Sequence, residues 1–158
     1  MSQLLDNILS RSNMLEAYNQ VRANKGSAGI DGITIDEIDD YLRKQWRSTK
    51  ELIKQRKYKP QPVLRVEIPK PNGGVRQLGI PTVMDRMIQQ AIVQVSSPIC
   101  ESYFSEKSYG FRPNRSCEHA VIQLLEYLND GYEWVVDIDL EKFFDTVPQD
   151  RLMSLVHN

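Results

Sequence analysis

Apolar residues recur at the three- and four-residue spacing of amphipathic helices in several segments of the chain. The predicted helices run from about 13 to 24, 35 to 45, 48 to 56, 85 to 103 and 116 to 129, and another begins near 150. Residues able to cap three of these helices are Ser12 or Asn13, Thr34 and Ser116. The proline at position 98 should kink or interrupt the fourth helix. The predicted inward faces carry Leu15, Tyr18 and Val21 in the first helix, Met87, Ala91 and Val95 in the fourth, and Ala120, Leu124, Leu125 and Leu128 in the fifth.

Other segments alternate apolar and polar residues with the two-residue period of a β-strand. VLRVEI (63–68) and VRQLGI (75–80) flank PKPNGG, whose proline and glycines are typical of a turn, so the three together predict a hairpin. GYEWVVDIDL (131–140) predicts a buried strand that ends in carboxylates. The order of helices, hairpin, helices and strand lacks regular βαβ alternation and indicates an α+β fold.

Two segments are predicted to be loops. KGSAGIDG (Lys25–Gly32) has three glycines in eight residues, which lets its backbone approach another chain closely. SYGFRPNRS (Ser108–Ser116) combines Gly, Pro and Asn with Arg112 and Arg115. Loops that carry cations are suited to phosphate groups, but the arginines could equally be solvated loop residues.

The net charge of −1, from 20 basic and 21 acidic residues, conceals a strong asymmetry. Eleven basic and two acidic residues lie in Arg43–Arg76, which makes that segment +9, whereas Glu118–Asp150 has one base and nine acids and is −8. The basic segment suits a phosphate backbone, and the acidic one could hold a divalent cation. Two solvated helix faces of opposite sign are the alternative.

Composition narrows the classes of function. With 41% hydrophobic residues the chain can form a core, and no apolar run reaches the roughly 18–20 residues of a membrane span. We expect no membrane partner and no secretory signal, since the N-terminal segment lacks a long apolar stretch. Two cysteines and two histidines do not make a Cys/His zinc cage, and a reducing cytoplasmic location is expected.

The carboxylates at the end of the predicted strand are candidate metal ligands. Asp137 and Asp139 are two residues apart and so share one face of a strand, while Val136 and Ile138 take the other. Burying two carboxylates is costly unless a cation such as Mg²⁺ neutralises them. An exposed strand end with solvated acids remains the alternative.

A longer pattern includes the second of these acids. Asp139, Phe144 and Asp145 resemble the first metal-binding motif in the palm domain of template-dependent polymerases. Four segments in order resemble the N-terminal part of a bacterial group II intron-encoded reverse transcriptase, or intron maturase. They are NKGSAGIDG, RKYKPQPVLRVEIPKPNGGVRQLGIPTVMDRMIQQAI, SYGFRPNRS and VVDIDLEKFFDTV.

The resemblance implies a division of the chain and a reaction. Residues 1–34 would be an N-terminal extension of helices and the glycine-rich loop, 35–115 helical fingers with a β-hairpin, and 116–158 the first part of a palm. The whole enzyme would copy RNA into DNA and assist intron splicing and retrohoming. Its partners would be RNA template, DNA primer, deoxynucleoside triphosphates and intron RNA, and its cofactor two Mg²⁺ ions about 3.5–4 Å apart.

The resemblance also implies the site residues. Asp139 would bind both metals together with the backbone carbonyl of Leu140, Phe144 would be a steric gate against a 2′-hydroxyl, and Asp145 and Asp137 would support them. The residues that would bind the nucleotide are Lys70, Arg76 and Arg112. Those that would contact nucleic acid are Lys25, Gly26, Gly29, Lys54, Arg56, Lys57, Tyr58, Arg65 and Arg115.

Several alternatives stay open for these residues. Phe144 could be a core aromatic beside Phe143, Tyr58 a half-buried anchor, and Lys70 and Arg76 ordinary surface cations. The family's second catalytic segment, Tyr-Ala-Asp-Asp, does not occur in this sequence. We therefore expect the chain alone to be inactive, to bind Mg²⁺ weakly or not at all, and to form homo-oligomers through exposed strand edges.

Two other classes of function also fit the residues. One is a non-catalytic RNA-binding module that recognises intron RNA. The other, which has less support because a third acidic cluster is lacking, is a metal-dependent phosphohydrolase using Asp137 and Asp139.

Overall fold

The fold is known from a computed structural model that describes residues 3–71, 73–140 and 143–157, except for the side chains of residues 144, 145 and 157. Helices α1 (Gln3–Ile8), α2 (Arg11–Ala23) and α3 (Ile38–Lys54) precede strands β1 (Leu64–Pro69) and β2 (Val75–Ile80). Helices α4 (Val83–Glu101), α5 (Cys117–Asn129), α6 (Phe143–Thr146) and α7 (Gln149–His157) follow. The predicted α+β class is confirmed. No helix among the described residues has the length and apolar character needed to cross a membrane.

The chain separates into two compact units, Met1–Ser105 and Glu106–Asn158. The first unit has 15 basic and 11 acidic residues, which gives it a net charge of +4. The second unit has 5 basic and 10 acidic residues, which gives it a net charge of −5. The loop after Ser105 thus groups with the acidic unit, although the sequence assigned residues 106–115 to the fingers. The functional division into 1–34, 35–115 and 116–158 stays a prediction.

The core of the first unit lies where α2 packs on α4. Met14, Ala17 and Val21 of α2 are buried against Val83, Met84, Met87 and Ala91 of α4. Of the predicted inward residues of α2, Val21 is buried and Tyr18 packs against this core, but Leu15 is exposed. Ser10 rather than Ser12 caps α2, so Asn13 lies inside the helix and its Nδ2 donates to the Ala91 carbonyl, 3.0 Å away.

Helix α3 is one helix, not the two that the sequence predicted. It begins later than expected, because Thr34 does not cap it. The Thr34 backbone N–H and hydroxyl both donate to the Glu37 carboxylate, at 3.0 and 2.8 Å. These hydrogen bonds favour the ionised form and lower the pKa of Glu37. Helix α4 continues through Pro98 to Glu101, so that proline does not interrupt it.

The β1–β2 hairpin is confirmed, with antiparallel pairing from Leu64↔Ile80 to Pro69↔Val75. Its turn depends on Gly73 and Gly74, whose φ values of 80° and 91° are costly for other residues. Residue 72, also in this turn, lies outside the described residues. Among the described residues, β1 and β2 pair only with each other. The positions of the hairpin's exposed side chains are therefore set by the pairing of these two strands.

The second unit differs most from the prediction. Ser116 caps α5 as expected, accepting from the His119 N–H at 3.3 Å. However, the predicted inward residues Leu124, Leu125 and Leu128 are exposed. Residues 131–140 form no strand, because none of the described residues supplies a partner strand for their backbone groups.

Candidate nucleic-acid interface and catalytic carboxylates

The hairpin presents its cations on two different faces. Residues paired across an antiparallel ladder share a face, and Arg76 pairs with Ile68 whereas Arg65 pairs with Gly79. Since positions 65 and 68 differ by an odd number, Arg65 and Arg76 point to opposite faces. Lys70 follows β1 in the turn, where its N–H donates to the Gly74 carbonyl at 3.0 Å. The hairpin therefore keeps Lys70 and Arg76 exposed near its tip and places Arg65 on the other side.

The C-terminus of α3 displays three of the predicted nucleic-acid contacts. The N–H groups of Lys57 and Tyr58 both donate to the Leu52 carbonyl, at 2.8 and 3.1 Å, which closes the helix. Arg56 takes a left-handed φ of 58° in this turn. Lys54 is half-buried, and its Nζ lies 3.5 Å from Glu51 Oε1, whereas Arg56 and Lys57 are exposed. The turn thus leaves two cations free to meet phosphate groups.

Tyr58 is the half-buried anchor that the sequence left as an alternative. Its hydroxyl donates to Asp85 Oδ1 at 2.5 Å. Burial and this hydrogen bond raise the pKa of Tyr58 well above its usual range. A side chain held in this way is not a free stacking surface for a base.

Asp85 is a buried carboxylate that sequence reasoning missed. It is 3% exposed and accepts three hydrogen bonds, from the Tyr58 hydroxyl, the Gln61 N–H at 3.1 Å and the Thr82 hydroxyl at 2.7 Å. Thr82 in turn caps α4 by accepting from the Asp85 N–H at 3.2 Å. The Thr-x-x-Asp spacing is a capping signal that could have revealed half of this network. Asp85 therefore fixes the chain that leads into β1 to the start of α4.

The glycine-rich loop approaches its own chain closely. A Cβ on Gly29 would lie 2.7–2.8 Å from backbone atoms of Pro81 and Thr82, and one on Gly26 would overlap the Arg86 guanidinium. From the sequence, these glycines were predicted to let the loop backbone approach another chain closely. The structure gives them an intramolecular role instead, and Lys25 is an exposed cation of the loop.

The two arginines of the 106–115 loop are half-buried and hold that loop together. Arg112 Nη1 donates to the Ser108 carbonyl at 3.1 Å. Arg115 Nη1 donates to the Glu106 carbonyl, and its guanidinium lies 5.3 Å from the centre of the Tyr109 ring. Phe111, which directly precedes Arg112, is fully exposed and has a left-handed φ of 56°. Sequence reasoning did not select Phe111, the exposed aromatic group on this loop.

The predicted metal ligands lie in the extended segment 132–140 and are exposed. Asp137 and Asp139 are solvent-facing, as are the side chains of Ile138 and Leu140. No group of three His, Cys, Asp or Glu side chains that could hold a metal occurs within the described ranges. Asp139 and the Leu140 carbonyl can supply two hard oxygen ligands, which is fewer than Mg²⁺ requires without substrate phosphates and water.

Two further predicted site residues, Phe144 and Asp145, have side chains that lie outside the described part of the structure. The steric gate and the supporting carboxylate therefore stay predictions. The backbone of both residues belongs to α6, not to a continuing strand.

Comparison with known proteins decides the family. The family model for reverse transcriptase (RNA-dependent DNA polymerase) matches residues 68–158, more than half of the chain. The chain belongs to the reverse transcriptase family. This match begins near the end of β1 and includes the hairpin turn, β2, α4 and the Asp139 segment.

Curated relatives extend the similarity to nearly the whole of this reverse transcriptase chain. Protein YkfC of Escherichia coli is 38% identical over 149 residues, which are 90% of this chain and 39% of YkfC. Group II intron-encoded protein LtrA of Lactococcus lactis is 35% identical over 142 residues, 89% of this chain and 23% of LtrA. Nuclear intron maturase 1 of Arabidopsis thaliana is 34% identical over 74 residues. The predicted resemblance to intron-encoded reverse transcriptases is confirmed, and the chain spans well under half of each relative.

A solved structure supports the fold. A chain of a Cas6-RT-Cas1–Cas2 complex superposes with a TM-score of 0.55 at 23% identity, covering 96% of this chain and 15% of that chain. At this identity the likeness concerns the fold alone.

Proposed function

We propose that this chain supplies the fingers and first palm segment of an RNA-directed DNA polymerase of the group II intron-encoded type. The enzyme would copy RNA into DNA and assist splicing and retrohoming of its intron. The observation that carries the proposal is the exposed hairpin with Lys70 and Arg76 at its tip, within the segment that matches the family. A reducing, cytoplasmic location is part of the proposal and is supported by two free, exposed cysteines.

The hairpin cations have a defined role in this reaction. Lys70 and Arg76 would bind the phosphates of an incoming deoxynucleoside triphosphate and offset charge that develops during phosphoryl transfer. Arg112 already donates to the Ser108 carbonyl, so it would orient the loop as well as contact the nucleotide. Arg65, on the opposite hairpin face, would contact the template instead.

Asp139 would hold Mg²⁺ together with the Leu140 carbonyl. When bound, two such ions stabilise the attacking primer oxygen and the leaving pyrophosphate. Asp139 lies on an extended, exposed segment, so its carboxylate can reach a metal that also binds substrate phosphates. Asp137 lies two residues before Asp139 on the same segment, and it would either orient the Asp139 carboxylate or remain solvated.

We expect no template-dependent primer extension from the 158-residue chain alone. The described residues bring no third carboxylate to Asp139, and a two-metal site needs further ligands. The assay supplies an RNA template, a DNA primer, deoxynucleotides and Mg²⁺, with Asp139→Ala as the matched variant. Extension by the wild-type chain that disappears in Asp139→Ala would show a complete active site and contradict this expectation.

The exposed segment 132–140 supports self-association. Trp134, Val136 and Ile138 are 94%, 82% and 81% exposed, and an unpaired extended backbone can pair with a second copy. Sedimentation velocity should show association that increases with concentration and weakens in Val136→Lys. A single monomeric species at every concentration would refute this part of the proposal.

A non-catalytic RNA-binding module is the second candidate. It is favoured by the exposed Arg56 and Lys57 at the end of α3, in a unit with a net charge of +4. Under this alternative, reversing the charges of Lys54, Arg56 and Lys57 removes RNA affinity. Neutralising Arg65 in the hairpin, which the polymerase proposal assigns to the template, would then leave that affinity unchanged.

A further inference from the structure

The start of α4 contacts the glycine-rich loop as well as the chain before the hairpin. Arg86 Nη2 donates to the Ser27 carbonyl at 2.7 Å, joining residues that are 59 positions apart. The adjacent Asp85 binds Tyr58 and Gln61. Two neighbouring side chains of one helix thus hold the two segments that carry predicted nucleic-acid contacts.

The loop is shaped to receive the Arg86 guanidinium. At Gly26 the missing Cβ leaves the space that Nη1 occupies, and at Gly29 it allows the loop backbone to lie against Pro81 and Thr82. Within the loop, the Gly32 N–H donates to the Gly29 carbonyl at 3.1 Å. These contacts fasten the loop to α4 on both sides of Ser27.

The surroundings of Arg86 fit an internal role. Its Nε is buried and has no hydrogen-bond partner among the described residues, and the same holds for Asp31 Oδ2 in the loop. Burial lowers the pKa of Arg86, an effect that the nearby charge of Asp31 opposes. The partly exposed Arg86 side chain donates to the Ser27 carbonyl of the loop, whereas Lys25 is exposed to solvent.

We propose that Arg86 is a positioning residue whose guanidinium holds residues 25–32 against α4 so that Lys25 can contact bound RNA. This inference rests on the proposed function, because it assigns a purpose to the loop's geometry. Arg86 itself does not touch nucleic acid. A lysine at position 86 would keep the charge but lose the guanidinium geometry that spans Ser27 and Gly26.

The loop contact is tested first, without RNA. Hydrogen exchange at Gly32 and Ile33 should accelerate in Arg86→Lys and in Gly26→Ala, which leaves Arg86 in place but fills its space. Gly110→Ala is the matched control, since a Cβ there meets nothing within 4 Å. Unchanged exchange in Gly26→Ala and Arg86→Lys, with the unit still folded, would overturn the proposal.

The positioning role is tested by a double-mutant cycle on RNA affinity. We expect Lys25→Gln and Arg86→Lys each to weaken binding of a single-stranded RNA by about fivefold, and the double variant to be little weaker than either alone. Multiplicative losses, or wild-type affinity in Arg86→Lys, would show that Arg86 does not act through Lys25. If wild-type protein binds no RNA, the proposed function fails and this role with it, while accelerated exchange would still assign the loop contact to Arg86.

Discussion

Replacing Gly29 with alanine should destabilise the basic unit by about 1–3 kcal/mol. The added Cβ would lie 2.7 Å from the Thr82 Cα and 2.8 Å from the Pro81 carbonyl oxygen. Those are backbone atoms at the start of α4, which cannot rotate away as a side chain can. Urea unfolding followed by the fluorescence of Trp46, a half-buried residue of this unit, measures the effect.

Gly110→Ala is the control for this substitution, because its Cβ would meet open space. Residue 110 belongs to the second unit, so we expect the unfolding midpoint that Trp46 reports for Gly110→Ala to equal that of wild type. Equal midpoints for Gly29→Ala and Gly110→Ala would mean that the loop does not pack on α4 as described.

Replacing Asp85 with alanine should cost about 3 kcal/mol of unfolding free energy. The change leaves the Thr82 hydroxyl, the Gln61 N–H and the Tyr58 hydroxyl without their acceptor. Tyr58→Phe removes only one of these bonds and should cost about 1 kcal/mol. Urea unfolding followed by Trp46 fluorescence measures the loss of unfolding free energy in both variants. Hydrogen exchange at the Gln61 amide reports whether its hydrogen bond to Asp85 is lost.

Exposed ion pairs provide the contrast for Asp85. The Arg43–Asp40 pair is separated by 3.6 Å, with both side chains about 80% exposed, and pairs of this kind contribute little. The unfolding free energy of Asp40→Ala should therefore be close to that of wild type. If Asp85→Ala were no more destabilising than Asp40→Ala, the buried network would not be what holds the chain before β1 to α4.

Local signals made the hairpin and the start of α5 predictable. The alternation of 63–68 and 75–80 and the two glycines of the turn act over a few residues, and the structure reproduces both strands within one residue. Ser116 as the cap of α5 is likewise a short-range signal. Features of this kind need no knowledge of the tertiary fold.

Long-range partners explain what the sequence could not reveal. Nothing near Asp85 indicates that Tyr58 and Gln61 will bury it, because these residues are 27 and 24 positions away. One position of α2 was misjudged for the same reason, since packing on α4 buries Met14 rather than Leu15, whereas Val21 is buried as predicted. Residues 131–140 have the composition of a strand, but pairing depends on a partner that the described residues do not contain.

The most direct test of the proposed polymerase role measures binding of an RNA template–DNA primer duplex as the salt concentration is varied. Three variants are compared with wild type: Arg65→Gln in the hairpin, Lys54→Glu/Arg56→Glu/Lys57→Glu at the end of α3, and Arg151→Gln as a control in the acidic unit. We predict that affinity falls linearly with the logarithm of salt, and that the hairpin variant lowers the slope by about 0.9 for each lost phosphate contact. The helix-end variant should weaken binding further, and Arg151→Gln should match wild type. Salt-independent binding, or wild-type affinity and slope in the hairpin variant, would contradict the assignment of this hairpin to the fingers of a polymerase.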